Sequence, residues 1–120
     1  MTKNNMQINR LPEFEKEFKK LTKKYHSLVE DFQDFEKLLI NFPRDNIRIE
    51  WVGKEVKWEF YKVKKFRCQS IARQSQNSGI RIIYRYLEEE SLIELTYIEI
   101  YHKNQKEKHD SERIKSNFWL

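Results

Sequence analysis

Apolar residues in the first third of the chain recur at the three- and four-residue intervals of amphipathic helices. Pro12 suits the first turn of one helix. A capping-box pattern at Ser27 and Glu30 opens a second helix, which Pro43 ends. The two apolar stripes are Phe14, Phe18, Leu21 and Tyr25, followed by Leu28, Phe32, Phe35, Leu39 and Phe42. Because the link between the helices is short, we expect an antiparallel αα-hairpin whose stripes pack against a sheet.

The apolar period changes to the alternation of strands in the second half of the chain. Strands are predicted at residues 58–66, 79–87 and 92–102, and the polar turn at 88–91 joins the last two as a hairpin. The apolar parity slips within the last strand, which predicts a bulge near Thr96. Beyond the slip, two sets of residues are expected on opposite faces: Glu99, Tyr101 and Lys103 against Ile98 and Ile100.

The two ends of the chain are less regular. Residues 8–11 fit a short edge strand, and residues 1–7 are polar and expected to fray. Residues 104–120 fit a short, loosely held helix, in which Ile114 and Phe118 are four apart. Because 120 residues suit one domain of ordinary size, residues 1–120 are predicted to form a single domain.

Positive charge is concentrated in the middle of the chain. The formal net charge is +5, yet residues 54–86 carry nine Lys or Arg against two Glu and no Asp, a net charge of +7. A run of like charge is usually a solvated face. Its position on a predicted sheet favours a surface that binds a polyanion.

The remaining composition excludes several classes of protein. Cys68 is the single cysteine, which excludes a disulfide framework and a thiolate metal cluster. The three histidines and the carboxylates lack the spacing of metal ligands, so no metal or other cofactor is expected. No apolar run is long enough to span a bilayer, and no secretory signal is evident, so we expect a cytoplasmic protein without membrane contact.

Two arginines interrupt the β-branched strand at 79–87. Arg81 and Arg85 are four apart, so both side chains leave the strand on the same face. A strand interior is a costly place for a cation, and the guanidinium group matches phosphate with a planar fork of donors. We therefore expect anion binding on this face. The opposite face is predicted to be core and carries Ile80, Ile82, Tyr84 and Tyr86.

Further polar groups are expected on the same open face. Lys62 and Lys64 flank Val63 and point the same way, whereas Tyr101, His102 and Lys103 end the last strand. These groups suit cleavage of RNA by its own 2′-hydroxyl, which needs a base, an acid and cations that stabilise the phosphorane. Each group also has a plainer interpretation, because lysines often protect a sheet edge and a strand-end histidine is often a surface residue.

The three strands resemble those of the RelE/ParE superfamily of toxins from type II toxin–antitoxin systems, in its HigB-like branch. The resemblance covers residues 8–114 and rests on order and spacing. The segments that carry it are Tyr61-Lys62-Val63-Lys64, Ser78-Gly79-Ile80-Arg81-Ile82-Ile83-Tyr84, and Ile98-Glu99-Ile100-Tyr101-His102-Lys103 followed by Lys106-Glu107. The chain departs from the RelE pattern in lacking a tyrosine in the C-terminal helix and in the long loop at 67–77.

The resemblance implies an α+β fold: a small twisted antiparallel sheet, an N-terminal αα-hairpin packed on one face, and a short C-terminal helix. It also implies a ribosome-dependent, metal-independent mRNA endoribonuclease that inhibits translation. The residues expected to carry the reaction are Arg81, Tyr101, His102 and Lys103. The residues expected to bind RNA phosphates are Lys62, Lys64, Arg73 and Arg85.

The implied partners are a cognate antitoxin, in a toxin–antitoxin hetero-oligomer, and mRNA in the ribosomal A site. Two other functions fit the same fold. One is a ParE-like poison of DNA gyrase, and the other is a relative that binds RNA without cutting it. The phosphate-binding set on the strands favours the ribonuclease, because a gyrase poison has no need of it.

Overall fold

The computed structural model describes residues 6–50, 59–71 and 78–118. Five strands and three helices follow one another along these residues. In chain order they are β1 (Met6–Arg10), α1 (Pro12–Lys24), α2 (Leu28–Asn41), β2 (Ile47–Arg48), β3 (Glu59–Val63), β4 (Ile80–Glu88), β5 (Ile93–His102) and α3 (Ser111–Phe118). Within these ranges no helix is both long and apolar enough to cross a membrane.

The strands form one sheet in the order β1-β5-β4-β3-β2. The α+β prediction is confirmed, with the two N-terminal helices and the short C-terminal helix in place. The sheet is mixed rather than wholly antiparallel, because the edge strand β1 runs parallel to β5. Parallel neighbours need a long connection, and the chain between β1 and β5 supplies one that includes both N-terminal helices.

The larger core lies between the sheet and the αα-hairpin. The helices contribute Phe14, Leu21, Leu28, Phe32 and Leu39, and β4 contributes Ile80, Ile82, Tyr84 and Tyr86. The predicted core face of β4 is therefore confirmed. Since alternate residues of a strand point to opposite faces, this packing directs Arg81 and Arg85 to the other side of the sheet.

Helix α3 covers part of that other side. Its apolar residues close a second, smaller core, whose members are Phe60, Ile83, Ile98, Tyr101 and Ile114. The ring of Phe118 lies 5.7 Å from that of Phe60. The cover provided by α3 decides which charged residues of the strands remain accessible.

β5 contains the predicted bulge, with Ile98 as its extra residue. Ile83 lies opposite Glu99, and the register then shifts by one residue. Ile98 packs in the smaller core and Ile100 in the larger one. The prediction that these two isoleucines share a face is therefore wrong, because the bulge turns Ile98 and Glu99 toward the same side.

The start of α2 also differs from the prediction. No side-chain hydrogen bond caps the helix, and Ser27 Oγ instead donates to the Asp31 carboxylate at 2.7 Å. Ser27 Oγ also accepts a hydrogen bond of 2.8 Å from the Ser70 N–H. The expected capping box is replaced by a polar network that ties the segment after β3 to the turn between the helices.

Candidate nucleic-acid interface

The strand register gathers charged residues on the face of the sheet that the αα-hairpin leaves uncovered. Lys62 and Glu99 both lie opposite Ile83, from either side. Two residues away on β4, Arg81 lies opposite Tyr101. Lys64 follows directly after β3. We call this surface the basic face and define it by Lys62, Lys64, Arg81, Glu99 and Tyr101.

Arg81 is half-buried near the start of β4, and its position is fixed from both sides. Its neighbours Ile80 and Ile82 are 0% exposed in the larger core. The Nη1 of Arg81 donates a hydrogen bond of 3.0 Å to the backbone carbonyl of Lys64. The guanidinium group is therefore held beside the end of β3, next to Lys64.

The pKa of Lys62 is lowered by its surroundings on the basic face. Burial lowers the pKa of Lys62, and the charges of Lys64 and Arg81 lower it further. The carboxylate of Glu99 opposes this shift. Cations that repel one another in this way are stabilised by an anion placed among them. Phosphate oxygens suit both ammonium and guanidinium groups.

Tyr101 is 3% exposed and lies across from Arg81. Burial, together with the charge of Glu99, raises the pKa of Tyr101 to about 12, against the opposing effect of Arg81. Its buried hydroxyl has no hydrogen-bond partner among the described residues. This hydroxyl stays protonated at neutral pH and is a donor without an acceptor in the described part of the chain.

Glu99 holds the loop at residues 103–110 against the basic face. It is 1% exposed, and its carboxylate forms an ion pair with Lys106. Its Oε1 accepts a hydrogen bond of 2.8 Å from the Asp110 N–H. Lys106 Nζ also lies 5.2 Å from the centre of the Tyr101 ring. No feature of the sequence predicts that this loop returns over the sheet, because a polar loop carries no apolar period.

Arg85 lies on the same side of the sheet, but the structure places it beneath α3. It is buried and ion-paired with Glu94, and its guanidinium carbon is 4.6 Å from the centre of the Phe118 ring. Burial lowers the pKa of Arg85, and Glu94 opposes the shift. The expected phosphate contact does not agree with this position, because α3 covers the residue.

His102 lies on the opposite side of the sheet from Tyr101. Its ring stacks on that of Tyr25 with centroids 6.1 Å apart. Its Nδ1 accepts a hydrogen bond of 3.1 Å from the Asn104 N–H, which assigns the proton to Nε2, 3.1 Å from the Ser78 carbonyl oxygen. Burial lowers the pKa of His102, and the Ser78 hydrogen bond opposes this only in part. The structure therefore does not bring His102 to the basic face.

His102 contacts the turn at Ser78 and Gly79, which leads directly into β4. Gly79 has a φ of +89°, and a Cβ added there would lie 2.8 Å from His102 Nε2. The Gly79 carbonyl accepts a hydrogen bond of 2.8 Å from the Lys103 N–H. His102 thus helps to set the start of the strand that carries Arg81.

The two other predicted site residues are placed differently. The side chain of Lys103 is exposed at the end of β5. Arg73, which was expected to bind a phosphate, lies outside the described residues, as do the N-terminal residues 1–5. The basic face therefore unites Lys62, Lys64, Arg81 and Tyr101 of the predicted set.

An apolar groove of about 700 Å³ adjoins the basic face and shares Lys62 and Lys64 with it. Leu38, Phe42 and Ile47 line the groove and are at least half exposed. Phe42 was predicted as part of the core stripe of α2, and its 59% exposure contradicts that prediction. Large apolar residues gathered in one exposed groove are typical of an interaction surface.

No metal centre is evident in the described ranges. Among residues 6–50, 59–71 and 78–118, no three His, Cys, Asp or Glu side chains are grouped so that they could hold a metal ion. Cys68 is buried, with its Sγ 3.6 Å from Ser27 Oγ. Burial raises the pKa of the Cys68 thiol, so this cysteine is a packing residue rather than a nucleophile.

Comparison with known proteins gives no match to a family, to a curated protein or to a solved structure.

Proposed function

We propose that this protein is the toxin of a type II toxin–antitoxin module and cleaves mRNA in the ribosomal A site. The observation that carries the proposal is the meeting of Lys62, Lys64 and Arg81 with the buried Tyr101 hydroxyl on one face of the sheet. The resemblance of three strand segments to the RelE/ParE superfamily supports it, as does the arrangement of the helices around the sheet.

The basic face offers the groups that RNA cleavage by the 2′-hydroxyl requires. Negative charge accumulates on the phosphate oxygens as the 2′-oxygen attacks. The guanidinium of Arg81 presents a planar set of donors to two of these oxygens, and Lys62 and Lys64 add positive charge beside them. Tyr101 keeps its proton at neutral pH because its pKa is raised to about 12, so it can donate a hydrogen bond to a phosphate oxygen or give the proton to the more basic 5′-oxygen as that oxygen leaves.

The proposed antitoxin would act at the groove beside the basic face. Because the groove shares Lys62 and Lys64 with the basic face, a segment that fills it also reaches these two lysines. Exposed apolar residues beside lysines suit an amphipathic segment with acidic side chains. A partner bound there would form a hetero-oligomer and compete with RNA in the cytoplasm.

The proposal is tested by mapping the 5′ ends of cellular mRNA after brief expression of the protein. We expect arrested growth, arrested translation and new 5′ ends inside translated regions. Arg81→Ala should abolish the new ends. The matched control is Arg48→Ala, because Arg48 is exposed and its guanidinium lies 5.9 Å from the ring of Tyr61, on the αα-hairpin side of the sheet.

Two outcomes would contradict the proposal. Continued translation with supercoiling defects and a DNA-damage response would support a gyrase poison on the same fold. Binding to ribosomes without new mRNA ends would support an RNA-binding protein that does not cut.

A further inference from the structure

Tyr101, His102 and Lys103 are the proton carriers expected from the sequence, and none of them supplies a general base on the basic face. Tyr101 keeps its proton and therefore donates rather than accepts. Lys103 is an exposed ammonium group, which has donors and no acceptor. His102 lies on the other side of the sheet. Attack by a 2′-hydroxyl also needs a base, and none of these three residues provides one on this face.

His109 lies in the loop at 103–110, between the two contacts that hold this loop over the basic face. Lys106, before it, is ion-paired with Glu99. Asp110, after it, donates its backbone N–H to Glu99 at 2.8 Å. His109 is half-buried, and its Nδ1 is buried without a hydrogen-bond partner among the described residues. One ring nitrogen is therefore unengaged by the described part of the chain.

The charges that act on His109 come from β3 and from its own loop. Burial lowers the pKa of His109, and Lys62 of β3 and Lys106 of the loop lower it further. Asp110 opposes the shift, and Glu99 of β5 is paired with Lys106. At neutral pH the imidazole is therefore uncharged and able to accept a proton.

We propose that His109 is the general base of the RNA-cleaving site, an inference that rests on the function proposed above. His109 takes the proton of the 2′-hydroxyl as the 2′-oxygen bonds to phosphorus. The bond from phosphorus to the 5′-oxygen breaks, and that oxygen takes a proton from the Tyr101 hydroxyl. The products are a 2′,3′-cyclic phosphate and a 5′-hydroxyl. Water then returns the proton from His109 to Tyr101.

The test is single-turnover cleavage of mRNA bound to ribosomes with an open A site, by the full-length protein. His109→Gln replaces the imidazole with an amide that does not act as a base at neutral pH. We expect the cleavage rate to fall by about 10²–10⁴ while mRNA binding is unchanged. The matched control is His26→Gln, because His26 is exposed in the turn between α1 and α2. It should cleave at the wild-type rate.

Two further readouts separate a base from a residue that only holds the loop. The wild-type rate should fall as the pH drops through the pKa of the His109 imidazole, which NMR titration of the three histidines measures directly. Added imidazole should restore part of the rate of His109→Ala. A residue with a purely structural role would produce neither effect.

The failures of the two proposals are distinguishable. If the wild-type protein cleaves mRNA and His109→Gln cleaves at the same rate, His109 is not the base and the proposed function stands. If wild type cleaves no mRNA, both proposals fall. If His109→Gln does not fold, the wild-type pH profile decides, because an acid limb that does not follow the titration of His109 overturns the inference.

Discussion

Replacing Tyr101 with phenylalanine should make the protein more stable and less active. The hydroxyl of Tyr101 is buried without a hydrogen-bond partner among the described residues, and such a group costs about 1–3 kcal/mol. Tyr101→Phe removes that group and keeps the ring, which packs in the smaller core. We therefore expect the free energy of unfolding to rise by up to about 1–3 kcal/mol. The cleavage rate should fall by about 10²–10⁴, because the proposed acid is lost.

Tyr84→Phe is the matched control in the same sheet. The Tyr84 hydroxyl donates a hydrogen bond of 2.6 Å to the Pro43 carbonyl and accepts one of 3.1 Å from Asn46. Removing it leaves both partners unsatisfied, so we expect a loss of about 1–3 kcal/mol in the free energy of unfolding. Because Tyr84 faces the larger core, the activity should not change.

Chemical denaturation of both variants measures the first effect, and single-turnover cleavage of ribosome-bound mRNA measures the second. The two substitutions should move stability in opposite directions. If Tyr101→Phe loses as much stability as Tyr84→Phe, the hydroxyl of Tyr101 has a partner and our reasoning fails. It fails equally if Tyr101→Phe cleaves mRNA at the wild-type rate.

Three further predictions concern the surface and the strand that carries it. RNA binding should weaken as the salt concentration is raised. Replacing Lys62 and Lys64 with alanine should make the slope of log binding constant against log salt concentration shallower by roughly one for each lysine. Filter binding at several salt concentrations measures this slope. Gly79→Ala should lower the free energy of unfolding by at least about 1–2 kcal/mol, because φ at this position is +89° and the new Cβ would approach His102. An unchanged midpoint of thermal unfolding would contradict this prediction. Stability should fall as the pH drops below about 6.5, because burial lowers the pKa of His102 in the folded state and the unfolded chain binds the proton first. His102→Gln should reduce this dependence in denaturation curves measured across that range, and the part that remains belongs to His109, whose pKa burial also lowers.

The sequence was most informative where one side of an element is buried against one neighbour. The two apolar stripes that begin at Phe14 and at Leu28 predicted the αα-hairpin, and the alternation from Ile80 to Tyr86 predicted the core face of β4. The same alternation placed Arg81 and Arg85 on one face. It could not separate them, because only the tertiary position of α3 decides that Arg85 is covered.

The pattern of apolar and polar residues did not predict the features that depend on a bulge, on a loop folding back over the sheet or on which end of a helix stays uncovered. A single extra residue in β5 sends Ile98 to the smaller core, and a period-2 argument cannot locate such a residue to better than a few positions. The loop that carries Lys106 and Asp110 returns to the basic face because Glu99 binds both residues, and such contacts leave no periodic signal in the sequence. Phe42 follows the helical period of α2 but is exposed in the groove.

Cleavage of ribosome-bound mRNA by wild type, Arg81→Ala and Arg81→Lys, at equal amounts of folded protein, decides whether the basic face is the RNA-cleaving site. The hydrogen bond to the Lys64 carbonyl that Arg81→Ala removes is worth about 0.5–1.5 kcal/mol. We expect a rate lower by about 10²–10³ for Arg81→Ala. Arg81→Lys should recover little of it, because an ammonium group cannot reproduce the planar fork. Cleavage by folded Arg81→Ala at the wild-type rate would contradict the assignment of the basic face as the RNA-cleaving site.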